Sequence, residues 1–338
     1  MVMKTFFFLV VLLLTSHNLV IAQTFTPLTS GNKSSFRGLS TYKNKVIWVS
    51  GSNGLIGKSN DSGKNWKWVT PLGYEDYDFR DIEAFSANEA VVVSAGAPAV
   101  ILHTKDGGKN WNEVYRNEDP QIFLDGMDFQ SKTGFVIGDP INGQFQLLKS
   151  TNKGKSWQDV TSAIHLFAEP GEAAFAASGS SLQVVQDWLY IGTGGSYSSL
   201  IKRSEKENRL DIQDVPIWAG SASTGIFSID FLNDREGVVV GGNYSSDKDN
   251  SNNILLTKNA GLSWEKPQIP VLGYRSCVKY VTPEILIATG TSGTDISKDA
   301  GQTWINISTA SFNVIAITSN KKNIYLAGSD GNVVSLQL

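Results

Sequence analysis

The chain has 338 residues and a formal charge of −3, and only 18% of its side chains are charged, against about 25% in an average domain. With nine tryptophans and abundant glycine, serine, threonine and asparagine it is neither a disordered chain nor a coiled coil, and it lacks the basic balance that a nucleic-acid-wrapping protein needs to release counterions. Its one cysteine, Cys277, leaves no internal disulfide, no cysteine-rich metal site and no CxxC redox centre.

The first element is a leader. Lys4 precedes the apolar run Phe6 to Leu14, and Val20-Ile21-Ala22 places small or moderate residues ahead of Gln23. This is the pattern of a secretory signal peptide over residues 1–22, cleaved after Ala22. Its apolar core is about 9 residues, too short for the roughly 20 a membrane span needs, and no cysteine follows the cleavage point to carry a lipid. A secreted or periplasmic protein without a stable membrane anchor is expected, with residues 23–338 forming a single domain.

That domain is built on a repeat. The segments Ser59 to Trp66, Thr104 to Trp111, Ser150 to Trp157, Thr257 to Trp264 and Ser297 to Trp304 align without gaps as Ser/Thr-x-Asp/Asn-x-Gly-x-x-Trp. Their starts are separated by 104−59 = 45, 150−104 = 46, 257−150 = 107 and 297−257 = 40 residues, so the long interval holds two units, with a degenerate copy near Arg203 to Leu210. A seventh unit follows the last box, because Leu326-Ala327-Gly328-Ser329-Asp330-Gly331 resembles Val49-Ser50-Gly51-Ser52-Asn53-Gly54. The chain stops before that unit's final strand, which Phe25 to Leu28 can supply. Four short strands recurring every 40 to 50 residues predict an all-β, seven-bladed β-propeller whose ring is closed by an N-terminal strand.

The box is similar to the Asp-box, or bacterial neuraminidase repeat. Its Asp or Asn (Asp61, Asp106, Asn152, Asn259, Asp299) accepts backbone N–H groups within a tight turn, Gly supplies a positive φ, and its Trp (Trp66, Trp111, Trp157, Trp264, Trp304) is expected to bury between blades. All these roles are structural.

If the box turn joins third and fourth strands, function belongs on the opposite face at the channel mouth. Phe36-Arg37, Phe79-Arg80 and Tyr274-Arg275 align at the openings of innermost strands, where other units carry Leu124-Asp125 and Phe227-Ser228. Guanidinium suits bidentate carboxylate or phosphate binding. The three arginines either pair with acids (Asp81, Glu83, Asp125, Asp128 and Glu172) or form an anion or acidic-peptide site. The longest insertions on that face are Thr161 to Ser181 and Gly241 to Asn253, beside the acidic aromatic loop Tyr74 to Asp78. The run from Asp247 to Asn253 has calcium-loop spacing but Asn252 where the turn glycine belongs and Lys258 where the closing Glu belongs, so no metal is expected. His103 and His165 are isolated, and no cofactor motif is present.

A sialidase-like enzyme would need a Tyr nucleophile beside a Glu, an acid, and an Arg-Ile-Pro context, whereas Arg37 is followed by Gly38-Leu39. An exo-glycosidase acting on an acidic glycan is therefore the second expectation. The opening Ser35 to Leu39, the run Val46 to Ser52, the boxes, and the segments Ala174 to Gly179, Gly192 to Gly195, Gly225 to Ile229 and Val240 to Tyr244 together resemble secreted bacterial relatives of the photosystem II stability/assembly factor family. That resemblance implies seven blades, no catalysis, and a membrane-protein partner bound at an Arg-rich patch onto which Arg37, Arg80 and Arg275 map. The first expectation is thus a monomeric, non-catalytic propeller binding a protein partner, a peptide or an anionic glycan through Arg37, Arg80, Arg275, Asp81, Asp125 and Glu172.

Overall fold

The computed structural model describes residues 23–338, so the expected leader and its cleavage point lie outside the described residues. Seven antiparallel sheets form the blades of a β-propeller. Blade 1 consists of Phe36–Tyr42, Val46–Gly51, Ile56–Ser59 and Lys67–Val69, and its second and third strands are buried at every position. Such strands are apolar on both faces because each blade is covered by a neighbour on either side. The hairpin between them turns at Asn53 and Gly54, with φ of 62° and 60°, a left-handed pair that suits Asn-Gly. The innermost strands of blades 2 to 7 are Asp78–Ala84, Leu124–Gln130, Leu182–Val185, Thr224–Phe231, Cys277–Tyr280 and Val314–Ile317. Thr24–Thr29 pairs antiparallel with Val333–Gln337, Phe25 opposite Leu336, and completes blade 7 as expected.

Two blades depart from the repeat. Blade 4 contains the degenerate copy as the hairpin Ser199–Ser204/Arg209–Asp214, in which Ser204 pairs directly with Arg209 and no tryptophan is present. In blade 5 the fourth strand shrinks to a single bridge, Leu256 to Glu265, while Glu172–Ala173 and Gly194–Gly195 add on the inner side.

The boxes do what their composition requires. In blade 2, Asp106 Oδ1 accepts the N–H groups of Lys109 and Asn110 (both 3.0 Å), Oδ2 accepts the Asn110 amide at 2.7 Å, and Thr104 Oγ1 accepts the Gly108 N–H at 3.1 Å. The bonds from Asn110, backbone first, hold the Asp106 carboxyl down at about 2. Trp111 then stands edge-on to Trp48 of blade 1, ring centroids 6.1 Å apart. Asp106→Ala is expected to lower the thermal midpoint by roughly 2–4 °C, and Asp106→Asn to lower it less, since Asn152 in blade 3 still accepts the matching Ser156 N–H. The Asp106 contribution is full above the ordinary carboxyl range and fades as pH falls towards 2. Equal midpoints for the Ala variant and the parent, by calorimetry at pH 7, would refute this.

Around the axis each inner strand presents free N–H groups, and side chains of the preceding blade bind them. Met127 donates to Asp81 (2.8 Å), Val184 to Asp128 (2.6 Å), Val278 to Ser228 (3.0 Å), Tyr280 to Asp230 (2.7 Å) and Ala84 to Ser40 (3.1 Å). Buried backbone donors demand partners, so these short polar side chains stitch one blade to the next.

Candidate functional site at the channel mouth

The innermost strands of blades 1, 2, 3 and 5 each carry a β-bulge near their start, where register slips between Phe36 and Gly38, Phe79 and Asp81, Leu124 and Gly126, and Ile226 and Ser228. A bulge leaves one residue unpaired and re-aims it. The bulged residues Arg37, Arg80, Asp125 and Phe227 all line one cavity of about 540 Å³ at the mouth of the channel.

Blades 6 and 7 contribute Ser276 and Asn313 to the same ring. The strand-ending bond from Val281 N to Ile285 O repeats that from Phe85 N to Glu89 O, and 281−276 equals 85−80, so Ser276 is the counterpart of Arg80. Arg275 stands one place earlier. It is 0% exposed and turns away into blade 6, where Nε and Nη2 meet Asp295 Oδ2 at 2.7 and 2.5 Å, Nη1 meets Ser292 Oγ at 2.6 Å and the Tyr274 carbonyl at 2.7 Å, and Nη2 meets the Leu272 carbonyl at 2.8 Å. The expectation of Arg275 at the mouth is corrected by this one-residue offset.

The remaining candidates also sort by geometry. Asp81 is buried below the mouth, its carboxylate bound by the Ile82 and Met127 amides. Glu172 is buried and accepts the Glu169 N–H and the Thr193 hydroxyl, so neither acid lines the cavity. The expected pairing of arginines with Asp81, Glu83, Asp125, Asp128 and Glu172 gives way to Arg80 with Asp78 (2.8 Å) and Arg275 with Asp295. Asp247 spends its carboxylate on Thr291, and Asp249 on the Ser251 N–H.

The insertion after blade 3 crosses the mouth and supplies what the repeat could not predict. Ala174 N donates to Asp139 Oδ1 (3.0 Å), Phe175 stacks on Phe227 at 3.8 Å, Arg37 Nη1 donates to the Ala177 carbonyl (3.3 Å), and Ser178 Oγ donates to the Ser276 carbonyl (2.7 Å). Gly179 lies against Asp81 with φ of 71°, and a Cβ there would sit 2.1 Å from the carboxylate. Only glycine allows this crossing.

The resulting cavity has an aromatic wall of Phe175, Phe227, Tyr244 and Tyr274, the last two edge-on to Phe227 at 5.9 and 4.8 Å. Across it lie Arg37, whose one hydrogen bond leaves most of its guanidinium N–H groups uncommitted, and Arg80, over the Phe123 ring at 5.5 Å. Burial, and then Arg80, lower the Arg37 pKa, so the site gains from an added negative charge. Neither oxygen of the buried Asp125 has a hydrogen-bond partner. Burial, reinforced by Asp139, pushes its carboxyl well above the ordinary range despite Arg80. Asp139 is itself raised to about 6 by burial. Tyr274 is buried, which raises its phenol, and no glutamate lines the cavity beside it, unlike a sialidase-like site.

Seven antiparallel blades around a lined channel mouth define a seven-bladed β-propeller. Residues 38–119, the first two blades, match the family model described as Photosynthesis system II assembly factor YCF48. Similar solved structures include YCF48 bound to D1 peptide (17% identity, TM-score 0.65, covering 94% of this chain and 97% of that one) and YCF48 from Cyanidioschyzon merolae (16%, 0.64, 93% and 98%). U3-55K shares the shape at 12% identity and a TM-score of 0.61, over 93% and 97%. No curated protein matches the chain. The resemblance to the photosystem II assembly factor-like propellers is borne out.

Proposed function

We propose that this protein is a non-catalytic propeller that binds a protein or peptide partner at its channel mouth, with an acidic group of the partner entering between Arg37 and Arg80. The observation that carries this is the cavity itself: about 540 Å³, aromatic on one side, with two guanidiniums on the other whose N–H groups are largely uncommitted. Guanidinium N–H groups in a partly desolvated site favour a carboxylate held by two parallel bonds. The Asp125 carboxyl, whose hold on its proton burial strengthens, lines the same space. A fold relative, YCF48, has been solved with a peptide bound, which agrees with a peptide ligand here.

The test is a thermal-shift and calorimetric titration of the full chain with N-acetylated hexapeptides rich in Asp and aromatic residues, set beside sialic and uronic acids. Acidic peptides are expected to bind, and Arg37→Ala to weaken them about ten-fold or more. Binding by the sugars alone would replace the peptide reading with a glycan one. Binding of the peptides undiminished by Arg37→Ala would remove the mouth from the mechanism.

A further inference from the structure

A second cavity, of about 270 Å³, opens on the box face between blades 3 and 4. In five of the seven interfaces a box tryptophan of the later blade is packed into the cluster shared with the earlier one: Trp66, Trp111, Trp157, Trp264 and Trp304. Trp157 shows the seat. It stands edge-on to Phe129 of its own blade at 5.6 Å, and Phe129 in turn stands edge-on to Phe85 of blade 2 at 4.9 Å, while Trp111 leans on Trp48 of blade 1.

The same positions can be traced into the interface of blades 3 and 4. Trp48 pairs with Ser40, three residues past the bulge at Arg37, and Phe135 pairs with Asp128, three past the bulge at Asp125. Phe85 is five residues past Arg80, and Gln130 is five past Asp125. Phe135 and Gln130 both line the cavity, with Val184 and Leu189 of blade 4 opposite. The walls of a tryptophan seat are therefore present. Its wedge is missing, because the shortened hairpin of blade 4 puts Arg209 opposite Ser204, whereas in blade 1 the last pair is Lys58 with Lys67 and the box continues beyond it to Trp66. Arg209 turns instead to Asp211 (2.8 Å) and to the Trp188 ring (5.8 Å).

We propose that this open slot is a docking site for a tryptophan side chain of a partner polypeptide, seated between Phe135 and Val184 as the chain's own box tryptophans are seated elsewhere. Size and shape argue for tryptophan, since the fold fits that ring to the equivalent space five times. The rim argues for a polypeptide carrier: the exposed pair Lys206 with Asp187 (2.7 Å) and the partly buried pair Lys149 with Glu205 (2.5 Å) present both signs, suited to the backbone and mixed side chains that flank a ring on a turn. A docked aromatic anchor with a polar rim is the usual anatomy of a binding hot spot. The site is separate from the channel mouth and does not rest on it.

The probe is 5-fluoro-N-acetyl-tryptophanamide, followed by fluorine NMR in the presence of the full chain, with 5-fluoroindole beside it. Saturable broadening is expected with the parent protein and with Arg37→Ala. Gln130 is exposed, and with its amide set to satisfy both atoms it pairs with the Gln186 backbone across the slot. Gln130→Trp fills the slot and should weaken binding about ten-fold or more. If Gln130→Trp lowers the thermal midpoint, Val184→Phe, which fills the slot from the other wall, is read in its place. No saturable broadening, undiminished binding to the filled variant, or binding of 5-fluoroindole with exclusion of the amide would each overturn the proposal.

Discussion

Arg275→Ala is expected to destabilise the protein by roughly 3–5 kcal/mol, the cost of stripping one partner from a buried ion pair. The guanidinium is fully enclosed, as is Asp295, which is 1% exposed. Its loss leaves Asp295 with only the Leu272 N–H (3.0 Å) and the Asn306 amide (3.0 Å) for a buried charge. It also frees the carbonyls of Leu272 and Tyr274, so the loop entering blade 6 loses its anchor. A drop of roughly 5–10 °C in thermal midpoint is the expected signature. Removing both partners with an apolar pair, Arg275→Met with Asp295→Leu, is expected to recover much of the loss, because no charge remains stranded. A single variant as stable as the parent would contradict the enclosed geometry. Arg37→Ala, by contrast, should cost binding and little stability, since Arg37 makes one hydrogen bond.

Thermal stability is expected to fall as pH rises from about 5 to about 9, and Glu83→Gln to flatten that fall. Burial pushes both Asp81 and Glu83 up to about 8, with Asp128 adding repulsion to both and Asp81 to Glu83, and burial lifts Asp128 to about 6. One cation, Lys279, faces them. Burial opposes its charge, but Asp230 at 3.2 Å and the nearby Asp128 hold its pKa above the ordinary lysine value. In the unfolded chain the acids titrate near 4. Between about 4 and 8 the folded state therefore holds more protons than the unfolded one. Stability is complete below the unfolded values and is lost as pH passes through the folded ones, by up to about 1.4 kcal/mol per pH unit for each group. Glutamine cannot lose a proton, and its carbonyl can still accept the Ser40 hydroxyl that now bonds Glu83 at 3.1 Å. Calorimetry from pH 5 to 9 decides. A parent midpoint that stays level or rises, or an unchanged slope in Glu83→Gln, would sink the argument.

The blades were legible in the sequence because each box fixes its own turn: Asp106, Gly108 and Trp111 act through bonds within eight residues and one neighbouring ring. The closing strand was legible too, since unit seven lacked a partner that Phe25 to Leu28 could supply. The axis was less legible. A bulge inserts one residue, and its place is set by pairing rather than by residue type. Aligning aromatic-Arg dipeptides therefore put Arg275 and Ser228 where the strand places Ser276 and Phe227. Counting back from the strand-ending turns recovers the true ring. Phe175, Asp139 and Tyr244 lay beyond repeat logic altogether, because the insertion and loop that position them have no counterpart in other blades. Asp125 was found, and its meaning changed from a partner for arginine to a carboxyl without any partner.

Closure by the first strand also changes the kind of array this is. A linear stack of repeats contacts one neighbour at each end and must finish in polar capping units to stay soluble. Pairing Thr24 with Gln337, 337−24 = 313 positions away, removes both ends at once. Every blade then has two neighbours and none needs a cap. Among the described residues that is also the most widely separated strand pair, the sort that carries the largest loop-closure cost. The seventh blade is shared between the two ends of the described polypeptide.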